Sequence, residues 1–108
     1  MDDQEFQTHA GDALEALSRR LSAASEKFPF ESDFNSGALT LEFEDPPAKF
    51  VVSPNSPVRQ IWVSAHSKSF KLDWDAERDT FVLSATGQSL TDLLGEAITQ
   101  QIGEEVTL

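Results

Sequence analysis

From Phe6 onward the apolar residues Phe6, Ala10, Ala13, Leu14, Leu17 and Leu21 are separated by steps that return to one stripe of a helix. The spacing predicts a helix over about residues 4 to 24, and Pro29 lies beyond its end. The period then drops to two. Phe30, Ser32 and Phe34 face one way and Glu31, Asp33 and Asn35 the other, as in a strand with one wet face. Asn35-Ser36-Gly37 reads as a turn, after which Leu39, Leu41 and Phe43 alternate with Thr40, Glu42 and Glu44 in a second strand. A two-residue turn at Ser36-Gly37 pairs Asn35 with Ala38. That register sets Phe30 opposite Phe43 and Phe34 opposite Leu39 on the buried side, and Glu31 opposite Glu42 on the wet side. A slip of one residue would invert every side chain.

Pro46 and Pro47 close the second strand, and Pro54 and Pro57 bracket a further loop. A third strand is predicted at Lys49 to Ser53 and a fourth at Val58 to Ala65, where Ile61 and Val63 share the buried face and Gln60, Trp62 and Ser64 the opposite one. Phe70, Leu72 and Trp74 alternate in a fifth strand, and Thr80 to Ala85 forms a sixth. Short turns between consecutive strands make the sheet antiparallel. Ser89 then stands as the N-cap of a second helix, with Asp92 three residues on. Its apolar positions Leu90, Leu93, Leu94, Ala97, Ile98 and Ile102 keep helical spacing, and Gly103 stops it. The expected fold is α+β, a two-layer sandwich with both terminal helices on one face of an antiparallel sheet of about six strands, the other face left open. With no repeat, linker or low-complexity run, residues 1–108 read as one domain. Gly11 and Gly95 fall inside the helices, each costing about 1 kcal/mol relative to alanine. Val106 and Leu108 are expected to cover helix surface.

Composition narrows what such a domain can do. Eight basic residues stand against 19 acidic ones, a net charge of −11, and there is no cysteine. Disulfides, thiolate zinc sites, thiol nucleophiles and protein-held iron–sulphur clusters are excluded. The negative charge disfavours nucleic acid and anionic membranes and favours cations or a basic protein surface. No apolar run approaches membrane-spanning length, and the opening residues lack the pattern of a secretory signal, so a cytoplasmic location is expected. Eleven of the acids lie in the first 45 residues.

The glycines are scattered, so no phosphate-binding loop or dinucleotide fingerprint exists, and there is no serine elbow or paired-histidine zinc motif. With no recognisable catalytic site, the chain is not expected to act as an ordinary enzyme. Two features carry chemistry. Glu5, His9 and Asp12 stack along one flank of the first helix, offering an imidazole and two carboxylates at helical reach. On the sheet, Glu31 facing Glu42 is a like-charge pair that a cation would relieve. Such oxygen-rich sets suit hard ions such as Fe³⁺, Mg²⁺, Ca²⁺ or Mn²⁺ and admit Fe²⁺. Against this stands ordinary solvation of a charged surface, as with Glu15 and Arg19 in favourable i, i+4 order. Trp62, turned onto the open face, is either an anchor for a partner or covered by a loop of its own chain. Trp74, in step with Phe70 and Leu72, reads as core.

The order helix, six strands, helix, together with Pro57-Val58-Arg59-Gln60-Ile61-Trp62-Val63-Ser64, Lys71-Leu72-Asp73-Trp74 and Ser89-Leu90-Thr91-Asp92-Leu93-Leu94, resembles the frataxin family. The tail Thr99-Gln100-Gln101-Ile102-Gly103-Glu104-Glu105-Val106 is similar to its bacterial CyaY branch. The resemblance implies a cytoplasmic accessory protein of iron–sulphur cluster assembly, one that binds iron (Fe²⁺ or Fe³⁺) weakly through surface carboxylates. It would dock on the cysteine desulfurase and scaffold protein, supplying iron or adjusting their rate. Asp3, Glu5, Glu31 and Asp33 match the family's acidic iron positions. Trp62, Gln60 and Lys71 match its docking residues, and Asn55 lies in the loop before them. A monomer is expected, with iron-dependent assembly as the variant. The second half of the first helix reads Ser18-Arg19-Arg20-Leu21-Ser22-Ala23-Ala24-Ser25 where the family carries an acidic ridge. That difference favours the alternative reading, a pure interaction module using the open sheet face with metal binding incidental.

Overall fold

The structure, a computed structural model, describes residues 1–44 and 46–108. Helix α1 (Asp3–Ser25) begins where Asp2 supplies a cap: its carboxylate accepts a hydrogen bond from the Glu5 amide at 2.8 Å. Asp3 and Glu5 occupy the first turn, where the positive end of the helix dipole favours acids. The buried stripe is Phe6, Ala10, Leu14, Leu17 and Leu21. The chain then runs through β1 (Glu31–Asn35), β2 (Ala38–Glu44), β3 (Pro47–Asn55), a 3-10 turn (Ser56–Val58), β4 (Gln60–Ala65), β5 (Lys68–Asp75), β6 (Thr80–Leu83), β7 (Gln88–Ser89) and helix α2 (Leu90–Ile102).

The sheet is an antiparallel meander in which every strand pairs with its neighbours in sequence, β1 to β7 in order. The β1–β2 register is the expected one, with Glu31 opposite Glu42 and Phe34 opposite Leu39. The described residues form seven strands, in keeping with the expected sheet of about six, and the additional one is β7. β7 pairs Ser89 with Val82 and Gln88 with Leu83, and two residues are too few for an alternation to show. Ser89 ends that strand and also caps α2, its hydroxyl accepting from the Asp92 amide at 3.2 Å. At the other end Gly103 adopts φ +75° and donates to the Thr99 carbonyl, the left-handed cap that glycine permits.

Both helices cover the face that carries Leu39, Leu41, Phe50, Val52, Ile61, Val63, Leu72 and Phe81, all buried. Burying each such side chain is worth roughly 1.5–3 kcal/mol, so this shared face drives folding. Phe70 and Trp74 pack on the rim of the same core. Phe34 departs from the expected burial and is 40% exposed. It lies on the outermost strand over a small cleft of about 160 Å³ lined by Ala10, Gly11 and Pro54. Gly11 brings no side chain to close that cleft. Val106 is buried and Leu108 packs against the core, as expected of the tail. A Cβ on Gly95 would lie 3.1 Å from the Val106 carbonyl, so the glycine admits the tail's close approach.

Candidate functional site

The uncovered face of the sheet is set by the alternation that buries its opposite side. On β4, the fourth of the seven strands among the described residues, Ile61 and Val63 point to the helices and Trp62 points away, 36% exposed. No loop of the described chain buries the indole. Its cross-strand neighbours are Ser53 on β3 and Lys71 on β5. The Lys71 ammonium stands 4.9 Å from the centre of the Trp62 ring, a cation on the π face. In the next row Asn55 on β3 pairs with Gln60 on β4 and Gln60 with Asp73 on β5. The four expected docking residues Trp62, Gln60, Asn55 and Lys71 are therefore brought together in two adjacent rows.

Hydrogen bonds join these rows. The Trp62 indole Nε1 donates to Gln60 Oε1 at 3.0 Å, and Gln60 Nε2 donates to Asp73 Oδ1 at 3.0 Å. The indole N–H thus has a partner within the chain, and the ring's apolar surface is what remains to be read. In the sequence Asp73 stands out only within the Lys71-Leu72-Asp73-Trp74 segment and not as an expected site residue, although alternation from Lys71 places it on the same face. Its partnership with Gln60 depends on the β4–β5 register, which is set by a two-residue turn at His66 and Ser67. Both residues have positive φ, 52° and 61°, in a turn without the usual Asn or Gly signal.

The carboxylate candidates divide between the two layers. Glu31, Asp33 and Glu42 line an open groove of about 670 Å³ on the uncovered face, with Thr40 and Lys49. Lys49 is the cross-strand partner of Glu42 on β3, so Glu42 faces an acid on one side and a base on the other. The pairing of Lys49 with Glu42 is not evident from the sequence; it places a cation beside the Glu31–Glu42 pair, with no direct ion pair to either acid among the described residues. Asp3, Glu5, His9 and Asp12 lie on α1, in the other layer. The acids are exposed, while His9 is half-buried with its ring stacked on Trp74, centroids 3.9 Å apart. Among the described residues no three of His, Asp and Glu converge as a set that could hold a metal ion. The trio Glu5, His9 and Asp12 is thus not assembled as a centre. Glu15 and Arg19 form the expected exposed ion pair at 3.8 Å.

These features define a class: an α+β sandwich whose open sheet face carries an aromatic residue at its middle and acids toward one edge. The model of the frataxin-like domain matches residues 1–104. The iron-sulfur cluster assembly protein CyaY of Thioalkalivibrio sulfidiphilus is 33% identical over 108 residues, covering all of both chains. The chain belongs to the frataxin family, in its bacterial CyaY branch. Among solved structures, frataxin from Psychromonas ingrahamii shares the fold with a TM-score of 0.77 at 24% identity, covering 99% of this chain and 97% of its own. Trimeric frataxin of Saccharomyces cerevisiae matches with a TM-score of 0.74 at 27% identity, over 89% of this chain and 80% of its own. No helix among the described residues is long and apolar enough to cross a membrane.

Proposed function

We propose that this protein is an accessory factor of iron–sulphur cluster assembly that works by docking its open sheet face on the cysteine desulfurase and scaffold complex. The observation that carries the reading is Trp62, an accessible indole on the fourth of the seven strands among the described residues, on the face that neither helix covers. The family and the CyaY relative support the setting in which it docks. An aromatic anchor desolvated at the centre of an interface is commonly worth about 2 kcal/mol or more. The acidic surface steers the domain toward a basic partner and speeds the encounter. Iron is cargo here, held weakly by exposed carboxylates: Asp3, Glu5 and Asp12 on α1, and Glu31, Asp33 and Glu42 on the sheet. It is not held in a closed centre, and the protein acts without turnover of its own. Trp62→Ala is expected to reduce affinity for the desulfurase–scaffold complex at least about tenfold with little change in melting temperature. Unchanged affinity with a sharply lowered melting temperature would overturn the docking face.

The second reading, an interaction module with incidental metal binding, is favoured by one observation: the described carboxylates and histidines do not converge. Titrating Fe²⁺ without oxygen while following the amide resonances of Glu5 to Glu15 and Glu31 to Asp33 separates the two. Saturable shifts at low iron support the cargo role. Shifts only at large excess support the module.

A further inference from the structure

We infer that Asp73 is a positioning residue for Trp62, acting through Gln60, and that it fixes the orientation in which the indole docks; the docking clause rests on the function proposed above. The inference follows from what each group can and cannot do. An indole Nε1–H only donates, and an ionised carboxylate only accepts. Gln60 stands between them, with Oε1 toward Trp62 Nε1 and Nε2 toward Asp73 Oδ1, both at 3.0 Å. A glutamine amide can be turned end for end, and only its neighbours decide which end points where. Here both neighbours dictate the same choice. The reversed amide would set donor against donor at the indole and acceptor against acceptor at the carboxylate.

Asp73 is itself held in place. It is the cross-strand partner of Gln60 on one side and of Val82 on the other, and its Oδ2 lies 3.5 Å from the Ser84 hydroxyl. Gln60 is half-buried, and Lys71 stands over the ring of Trp62. The indole is therefore gripped at its nitrogen and at one face. A side chain ordered before binding loses less rotamer freedom when a partner arrives, so the geometry favours affinity without a new contact. Removing the carboxylate leaves the Gln60 amide held by the indole alone, so the acceptor that orients Trp62 is less firmly placed.

The test uses the uniformly ¹⁵N-labelled full chain, whose two indole resonances belong to Trp62 and Trp74, the latter an internal control. Asp73→Ala is expected to shift the Trp62 Nε1–H resonance toward that of a solvated indole and to leave that of Trp74 in place. It should also lower affinity for the desulfurase–scaffold complex about fivefold, the worth of one net hydrogen bond. Asp73→Asn removes the same charge but keeps an acceptor oxygen, and is expected to retain both the resonance and the affinity. An unmoved Trp62 resonance in Asp73→Ala overturns the relay. Equal loss of affinity in the alanine and asparagine variants overturns it too, since that marks a charge effect. A shifted resonance with unchanged affinity overturns the docking clause. Trp62→Ala in parallel then shows whether the docking face fails as well: if Trp62→Ala loses affinity, only the Asp73 assignment has failed.

Discussion

His9 lies flat on Trp74, the two rings 17° from parallel with centroids 3.9 Å apart, so a residue of α1 is pinned to β5 across the boundary between helix layer and sheet. Trp74 in turn meets Phe81 edge-on at 5.1 Å, and Phe81 meets Phe6 at 6.0 Å. His9 thus caps a line of rings that begins in the core. Its imidazole is occupied in packing, which accounts for its failure to gather with Glu5 and Asp12.

His9→Ala is therefore expected to cost about 0.5–1.5 kcal/mol of stability, the usual worth of an aromatic pair beyond its area. Urea unfolding measures that loss. The fluorescence of Trp74 should shift to the red as water reaches the exposed ring face.

Replacing Trp62 by phenylalanine separates the ring from its nitrogen. Because Nε1 donates within the chain to Gln60, a partner gains chiefly from apolar area, and Trp62→Phe should retain more affinity for the desulfurase–scaffold complex than Trp62→Ala. Titration calorimetry on both variants checks the order. Equal losses would mean that the partner requires the indole itself.

Lys49 offers a second handle. It faces Glu42, which also faces Glu31, so Lys49→Gln removes the internal cation and leaves two acids opposed. Stability should fall by a few tenths to about 1 kcal/mol. Iron affinity at this end of the sheet should rise, and it should weaken with added salt because exposed charges are screened. Glu5→Gln combined with Asp12→Asn is expected to lower iron binding on α1 without unfolding the chain. Anaerobic Fe²⁺ titrations of the two variants, read at the amides of Glu31 to Asp33 and Glu5 to Glu15, assign the sites.

The two helical glycines should respond in opposite ways to the same substitution. Nothing lies within 4 Å of a Cβ placed on Gly11, so Gly11→Ala should gain up to about 1 kcal/mol and raise the melting temperature by about 4–8 °C. At Gly95 the Cβ meets the Val106 carbonyl at 3.1 Å. The tail there is tied down, since the Val106 amide donates to Thr99 Oγ1 at 2.9 Å and Thr99 Oγ1 to the Gly95 carbonyl at 2.8 Å. Gly95→Ala should therefore show no gain or a net loss, measured by thermal unfolding of both variants.

Much of this architecture is legible in the chain wherever one buried face repeats. The β1–β2 register follows from alternation plus a Gly-containing turn, because the wrong register would bury Glu31 and Glu42. The outward direction of Trp62 follows from Ile61 and Val63 on either side. What stayed hidden are relations between elements. Lys49 against Glu42 depends on a register that runs through two prolines. Asp73 against Gln60 depends on a turn whose residues, His66 and Ser67, carry no turn signature. The stacking of His9 on Trp74 joins residues 65 positions apart that share no period. Phe34 obeyed the alternation yet stayed exposed, because its strand is the last in the sheet and the helix opposite offers it Gly11.

The meander also dictates a timetable. As the chain leaves the ribosome, each strand finds its pairing partner among the residues made just before it, so sheet growth needs only small loops to close and little entropy is lost at each step. The apolar face cannot be sealed on that schedule. Part of its cover is α2, synthesised only after all the strands of the sheet, with Leu94 and Ile98 fully buried. Until those residues emerge, a nascent sheet with only α1 to shield it exposes its greasiest surface. That interval is when the protein is most open to aggregation and to chaperones.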